Sequence, residues 1–149
     1  MLEQTKQNLH EFKWENVKSV DELGDIPKKA MNEFLSDYEL GLKEGRYLTA
    51  GLPTLPFNNK EFDIALCSHF QFLYSEQFSL DFPLQSFEEL SRVAKEVRIF
   101  PLLELGSNKS RHLDKAMGYF KSDGFDITIQ RVNYEFQTGR NEMLVIVPK

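Results

Sequence analysis

An α/β domain is what this sequence predicts, and three observations predict it. Residues 62–67, Phe-Asp-Ile-Ala-Leu-Cys, form a short, nearly unbroken apolar run, the pattern of a parallel-sheet strand covered by helices on both faces. Other segments carry apolar residues at three- and four-residue spacing between Ser, Asp or Pro at the front and Gly at the back, which reads as helix. The last quarter alternates, with Asp126-Ile127-Thr128-Ile129-Gln130 and then Met143 to Val147, and reads as an antiparallel hairpin. Parallel central strands, helices on the faces and a closing hairpin at a sheet edge are therefore expected.

Composition bounds the function. At 149 residues, 41% apolar and 13% aromatic, the chain is the size of one domain with enough apolar side chain for a core. Eighteen Lys and Arg against 23 Asp and Glu leave a net charge of −5 with no block of like charge, so no nucleic-acid partner is indicated. Cys67 is the only cysteine, which excludes an internal disulfide framework and a Cys-based zinc site, and suits a reducing compartment. No His, Cys or carboxylate cluster has ligand spacing, so no metal is expected. The first residues have neither a signal core nor transit-peptide character, and no run approaches the ~20 apolar residues of a membrane span. The expectation is a cytoplasmic protein with no membrane partner.

In chain order, residues 1–18 are a polar segment without a clear pattern, apart from Leu9 and Phe12 at helical spacing. Residues 19–149 carry the α/β pattern. Ser19-Val20-Asp21-Glu22 is a capping box expected to start a helical turn that Gly24 ends. Pro27, with Asp25 as N-cap, then opens a second helix along Met31, Phe34, Leu35, Tyr38 and Leu42, closed by Lys43 and Gly45. Arg46 to Thr49 reads as a short strand, and Pro53 and Pro56 make the next stretch a loop. The apolar strand follows, then an aromatic and polar segment from Phe70 to Phe82. Ser86 and Glu89 form another capping box, with Leu90, Val93 and Ala94 on one helical face. Val97 to Leu103 reads as the next strand with Pro101 near its end. Ser110 is the expected N-cap of a helix along Leu113, Met117 and Phe120 that Gly124 ends, and Tyr134 and Phe136 extend the final β pattern to a turn at Gln137 to Asn141.

Ser68, His69, Gln71 and Tyr74 sit just past the apolar strand, and in open α/β sheets ligands sit outside the carboxyl ends of strands. That is where a site is expected.

The order of these elements, together with Leu55-Pro56-Phe57, Glu61-Phe62-Asp63-Ile64-Ala65-Leu66-Cys67-Ser68, Glu89 with Arg92-Val93, Phe100-Pro101-Leu102 and Tyr134 to Gln137, resembles the second half of a class I S-adenosylmethionine-dependent methyltransferase of the bacterial methyltransferase type. The resemblance runs from about Ser19 to the C-terminus and implies a partial Rossmann-like methyltransferase sheet. Members begin with a strand, a glycine-rich turn and a helix facing the cofactor. Nothing before Arg46 supplies these, and no Gly-x-Gly occurs, so the sequence looks like a C-terminal portion, truncated at the front.

The resemblance implies S-adenosylmethionine as cofactor and methyl transfer to an unknown acceptor. Carried over, Gly51, Leu52 and Leu55 flank the adenine, Cys67 and Ser68 line the methyl donor, His69 takes a proton from the acceptor, and Phe70 and Tyr74 line the acceptor. Leu52 stands where many members have an acidic residue for the adenine amino group. Each position also has a structural reading: Cys67 as a core residue, Ser68 as strand terminator, His69 as a loop histidine bonded to backbone, Phe70 and Tyr74 as core or lid aromatics. Glu89 and Arg92 read as a surface pair or a helix-end anchor.

In the family order 3-2-1-4-5-7-6, the strand at Phe62 to Cys67 loses its neighbour and becomes an edge. Each of Ile64 and Leu66, if uncovered, forfeits ~1.5–3 kcal/mol of burial. This motivates a second expectation, a non-catalytic binding or assembly module that pairs with a partner or with itself through the exposed strand edge.

Overall fold

The computed structural model describes every residue except Met1, Asn16, Ser107, Phe136, Gln137 and Lys149. The chain divides into two compact units, Met1–Thr49 with Glu135–Gly139, and Ala50–Tyr134 with Arg140–Lys149.

The first unit contains α1 (Leu2–Gln7), a 3-10 turn (Leu9–Glu11) and α2 (Val20–Lys43). Ser19 Oγ accepts from the Glu22 amide at 3.1 Å and the Glu22 carboxylate accepts from the Lys18 amide at 2.7 Å, so the expected cap forms. The expected break does not. Gly24, Asp25 and Pro27 all lie inside one 24-residue helix. An interior proline removes one main-chain bond, and a glycine costs about 1 kcal/mol against alanine. Gly24 has a packing reason to be there: a Cβ on it would stand 2.9 Å from the Leu2 side chain of α1. Arg46 and Tyr47, expected to begin a strand, instead fold back on α2. Both amides donate to Gly41 O, at 2.8 and 3.3 Å. Asp37 accepts from the Arg46 guanidinium at 2.6 and 2.7 Å and from the Tyr47 hydroxyl at 2.7 Å. These donors hold its carboxyl down at about 2.

The second unit is mixed α/β, built on a four-stranded sheet. Its elements are β1 (Phe62–Ser68), α3 (Asp81–Val93), β2 (Ala94–Phe100), α4 (Leu113–Ser122), β3 (Asp126–Arg131) and β4 (Glu142–Val147). The strand order is β1-β2-β4-β3. Only β1 and β2 are parallel; β4 lies between β2 and β3 and is antiparallel to both. The expected set of parallel central strands is thus a single parallel pair, and the hairpin's second strand, not its first, joins it.

Several boundaries move for local reasons. Helix α3 starts at Asp81, five residues before Ser86, with the acidic Asp81 and Pro83 in its first turn where both are favoured. Ser86 is buried inside the helix rather than at its cap. Ser110 accepts at Oγ from the His112 amide at 3.2 Å and at its carbonyl from the Leu113 amide at 3.1 Å, so it caps the turn ahead of α4 rather than the helix itself. Gly124 ends α4 as expected, at φ +87°. Strand β3 stops at Arg131; Tyr134 lies outside it, and Phe136 and Gln137 lie outside the described residues.

The core occupies one face of the sheet. Register puts Ala65, Cys67, Val97, Ile99, Leu144, Ile146 and Ile127 on a common face. Phe87 and Leu90 of α3 and Leu113, Ala116 and Phe120 of α4 share a core cluster with all of these but Ala65, which packs against it partly buried. Phe62, Ile64 and Leu66 point to the opposite face and are 39, 46 and 75% exposed.

Candidate functional site

The carboxyl end of β1 concentrates the polar groups. The His69 amide donates to Phe100 O at 2.7 Å, carrying the parallel ladder one residue past β1. His69 itself turns into the left-handed region at φ +53°, which costs a residue with a Cβ roughly 1–2 kcal/mol. That turn brings its ring back beside its neighbour, with Nδ1 2.7 Å from Ser68 Oγ. The ring also meets Phe100 edge-on at 5.8 Å. Partial burial and then the positive charge of Arg140 push the His69 pKa below its ordinary value, so the imidazole is neutral near pH 7.

Cys67 faces the core. Burial pushes its thiol pKa up, offset in part by the Gln71 main-chain amide, which keeps it protonated and unreactive. Of its alternative readings, packing is the one its surroundings serve. Gln71, expected near the site as a polar group past the strand, is instead enclosed: it is 1% exposed, and neither its Oε1 nor its Nε2 meets a hydrogen-bond partner among the described residues. Its neighbours in sequence are aromatic, and only tertiary packing reveals that its amide is enclosed.

Beyond Gln71 the segment to Leu80 is a run of turns tied down by Ser75, whose Oγ donates to Phe72 O at 2.6 Å and lies 2.7 Å from Ser110 Oγ. Phe70, half-exposed, meets Tyr74, Phe78 and Phe82 at 6.3, 6.0 and 5.9 Å, and Phe78 stacks on Phe82 at 4.4 Å. Ser68 and His69 thus end β1, His69 against Phe100, and Phe70 and Tyr74 follow in an aromatic cluster with Phe78 and Phe82.

The loop residues lie elsewhere. The Leu55 amide donates to Glu89 Oε1 at 2.6 Å, and the Arg92 guanidinium donates to Leu55 O, Phe57 O and Asn59 Oδ1 at 3.1, 2.8 and 2.9 Å. Lys60, just ahead of β1, returns its amide to Arg92 O at 2.8 Å and its ammonium to Ser91 O and Ala94 O. Glu89 and Arg92 are therefore an anchor, but for this loop. Arg92 and the Leu55 amide hold the Glu89 carboxyl below the usual range. Leu55 sits toward the amino end of β1, and a strand of this length rises about 20 Å to Ser68. Leu52 and Leu55 pack against the core cluster, while Gly51 is exposed and bridges Thr54.

Among the described residues there is no group of three His, Cys, Asp or Glu placed to hold a metal ion, and no helix long and apolar enough to cross a membrane.

A longer archaeal protein resembles this chain. It is an uncharacterized protein of Methanocaldococcus jannaschii, 35% identical over 135 residues, covering 91% of this chain and 58% of the relative. The chain thus spans little more than half the length of that relative. No protein-family model matches the chain, and no solved structure does.

Proposed function

We propose that this chain is the C-terminal part of a class I S-adenosylmethionine-dependent methyltransferase, acting on an unknown acceptor at the carboxyl end of β1. The observation that carries the reading is the sheet order. β1-β2-β4-β3, with β1 and β2 parallel and β4 reversed, has the order and sense of the fourth, fifth, seventh and sixth strands of that family's sheet.

The residues present fit one wall of such a site. Ser68 is small and exposed at the strand end, and Phe70 and Tyr74 offer half-exposed rings beside it. The glycine-rich cradle is absent from the sequence, so this chain alone offers no counterpart to it. When bound, the cofactor supplies an electrophilic methyl group on a sulfonium. The chain's own part is alignment, exclusion of water and proton transfer. In the tautomer with the proton on Nδ1, that atom donates to Ser68 Oγ and His69 Nε2 is left as the acceptor for a proton from the methyl acceptor; the depressed pKa keeps it free to take one. Gly51 and Leu52 take the adenine side in this reading, whereas Leu55, held by Glu89 and Arg92 toward the amino end of β1, is not part of it; Cys67 contributes bulk beneath the donor.

Calorimetric titration of the purified chain with S-adenosylmethionine and S-adenosylhomocysteine tests it. Micromolar binding, lost in Ser68→Trp and kept in His69→Gln, is the expected result. A folded chain that binds neither ligand at millimolar concentration overturns the reading for this polypeptide.

A further inference from the structure

The closing hairpin and the end of β1 meet for a topological reason. β4 runs against both β2 and β3, so its first residues and the last of β3 lie with the carboxyl ends of β1 and β2. The Val132 amide donates to Asn141 O at 2.8 Å and carries the hairpin one pair beyond Arg131 and Glu142. Tyr134 and Arg140 therefore come to the end of the sheet that holds Ser68 and His69. Phe100, the last residue of β2, links the two sets: its ring meets His69 edge-on at 5.8 Å and Tyr134 edge-on at 6.1 Å. Tyr134 is 54% exposed, so much of a large ring is open to a ligand.

The charge felt at His69 is positive. Arg140 acts on its ring, and no carboxylate among the described residues does. Arg140 is half-buried and already engaged within the chain, which fixes the position of its charge, and a guanidinium has five donors to share. Its planar fork matches a carboxylate, and one such fork balances a single negative charge, whereas a phosphate dianion would be only half compensated. The adjoining rings of Phe100 and Tyr134 favour a flat apolar body beside that charge. We propose that the carboxyl end of this sheet binds a small aromatic carboxylate, its carboxylate on Arg140 and its ring against Tyr134 and Phe100. Held so, the molecule presents its remaining substituents to Ser68 and His69, which makes an aromatic acid the acceptor class for methyl transfer. That acceptor role rests on the methyl-transfer reading; the binding itself does not.

Benzoate is the probe, added without cofactor, and the NMR signals of the His69 ring are the readout, told apart from those of His10 and His112 by His69→Gln. Benzoate is expected to shift them saturably at millimolar concentration and to raise the pH at which His69 titrates, since its charge offsets that of Arg140. Benzamide, of the same shape without the charge, should bind at least about tenfold more weakly. Arg140→Gln should abolish the preference for benzoate over benzamide with the far-ultraviolet circular dichroism unchanged, and Tyr134→Ala should weaken both. The comparison in the unaltered chain decides even where Arg140→Gln fails to fold. Equal binding of benzoate and benzamide, no saturable shift with either, a shift that sodium chloride reproduces at equal ionic strength, or a preference that survives Arg140→Gln overturns the proposal. Titration with S-adenosylmethionine separates it from the reading it extends. A chain that binds the cofactor but not benzoate keeps methyl transfer and loses the aromatic acid, whereas one that binds benzoate alone keeps this site and loses its role for an acceptor.

Discussion

The two faces of β1 are made of similar residues and have opposite fates. Ala65 and Cys67 look toward Val97, Ile99 and the helices α3 and α4, whereas Ile64 and Leu66, one step along in each direction, look outward. An apolar side chain contributes to stability only if something covers it, and on this strand the cover exists on one face only. The difference teaches that the apolar run records what a strand is suited to, while its neighbours decide what it receives.

The comparison can be broken at its strongest point. Phe87 lies at the centre of the covered face, fully buried, with Phe72 and Phe120 at 5.4 and 6.0 Å. Phe87→Ala should cost ~3–5 kcal/mol, against less than ~1 kcal/mol for Leu66→Ala measured on dilute chain; urea unfolding midpoints read both. Equal losses would mean that the open face is covered after all.

Thiol labelling sharpens the same contrast without unfolding the protein. Cys67 should react with a disulfide reagent orders of magnitude more slowly than Leu66→Cys placed in a Cys67→Ser background, and the two rates should converge in denaturant.

A smaller effect concerns the strand's carboxyl end. The His69 pKa is lower in the folded state than in the unfolded chain, so on acidification the unfolded chain takes up a proton first. The associated stability is present above the ordinary histidine value of about 6.5 and is lost as pH falls through it toward the folded value. His69→Gln should flatten that part of the stability curve, and Arg140→Ala should raise the His69 titration seen by NMR, since Arg140 is the second cause of the depression.

The smallest expected change is at the other end. Arg92→Lys keeps a charge but loses the fork that grips Leu55, Phe57 and Asn59, and should speed amide exchange at Leu55 and Lys60 while leaving Val97 and Ile99 protected. Uniformly faster exchange would make Arg92 part of the core's support rather than an anchor for the loop.

The strand end at which a site was expected was legible because its signals are local. Ser68, His69, Phe70 and Tyr74 follow the apolar strand directly, and the end of a strand is a place that sequence can mark. The enclosure of Gln71 was not legible, since a polar residue between Phe70 and Phe72 looks like any other in a loop until its surroundings are known. The loop anchor was half legible: the spacing of Glu89 and Arg92 makes them neighbours on a helix, but their bonds to Leu55 cross more than thirty residues. Ser86 misled for the reverse reason, because a capping-box pattern is a local preference that burial inside α3 overrode.

By itself the sequence determined the α/β class, the strand at Phe62, the closing hairpin and the stop at Gly124, all set by periodicity, turn chemistry or backbone freedom over a few residues. Tertiary structure decided that α2 is one helix, because packing of Leu2 on Gly24 makes the glycine useful where local preference would end the turn. It decided that Arg46 and Tyr47 return to Asp37 and Gly41 instead of extending. It also decided the insertion of β4 between β2 and β3, since strand neighbours depend on contacts between residues about fifty apart. Local pattern specifies what an element can be; which of its faces and edges is satisfied depends on long-range partners, and no window of sequence contains them.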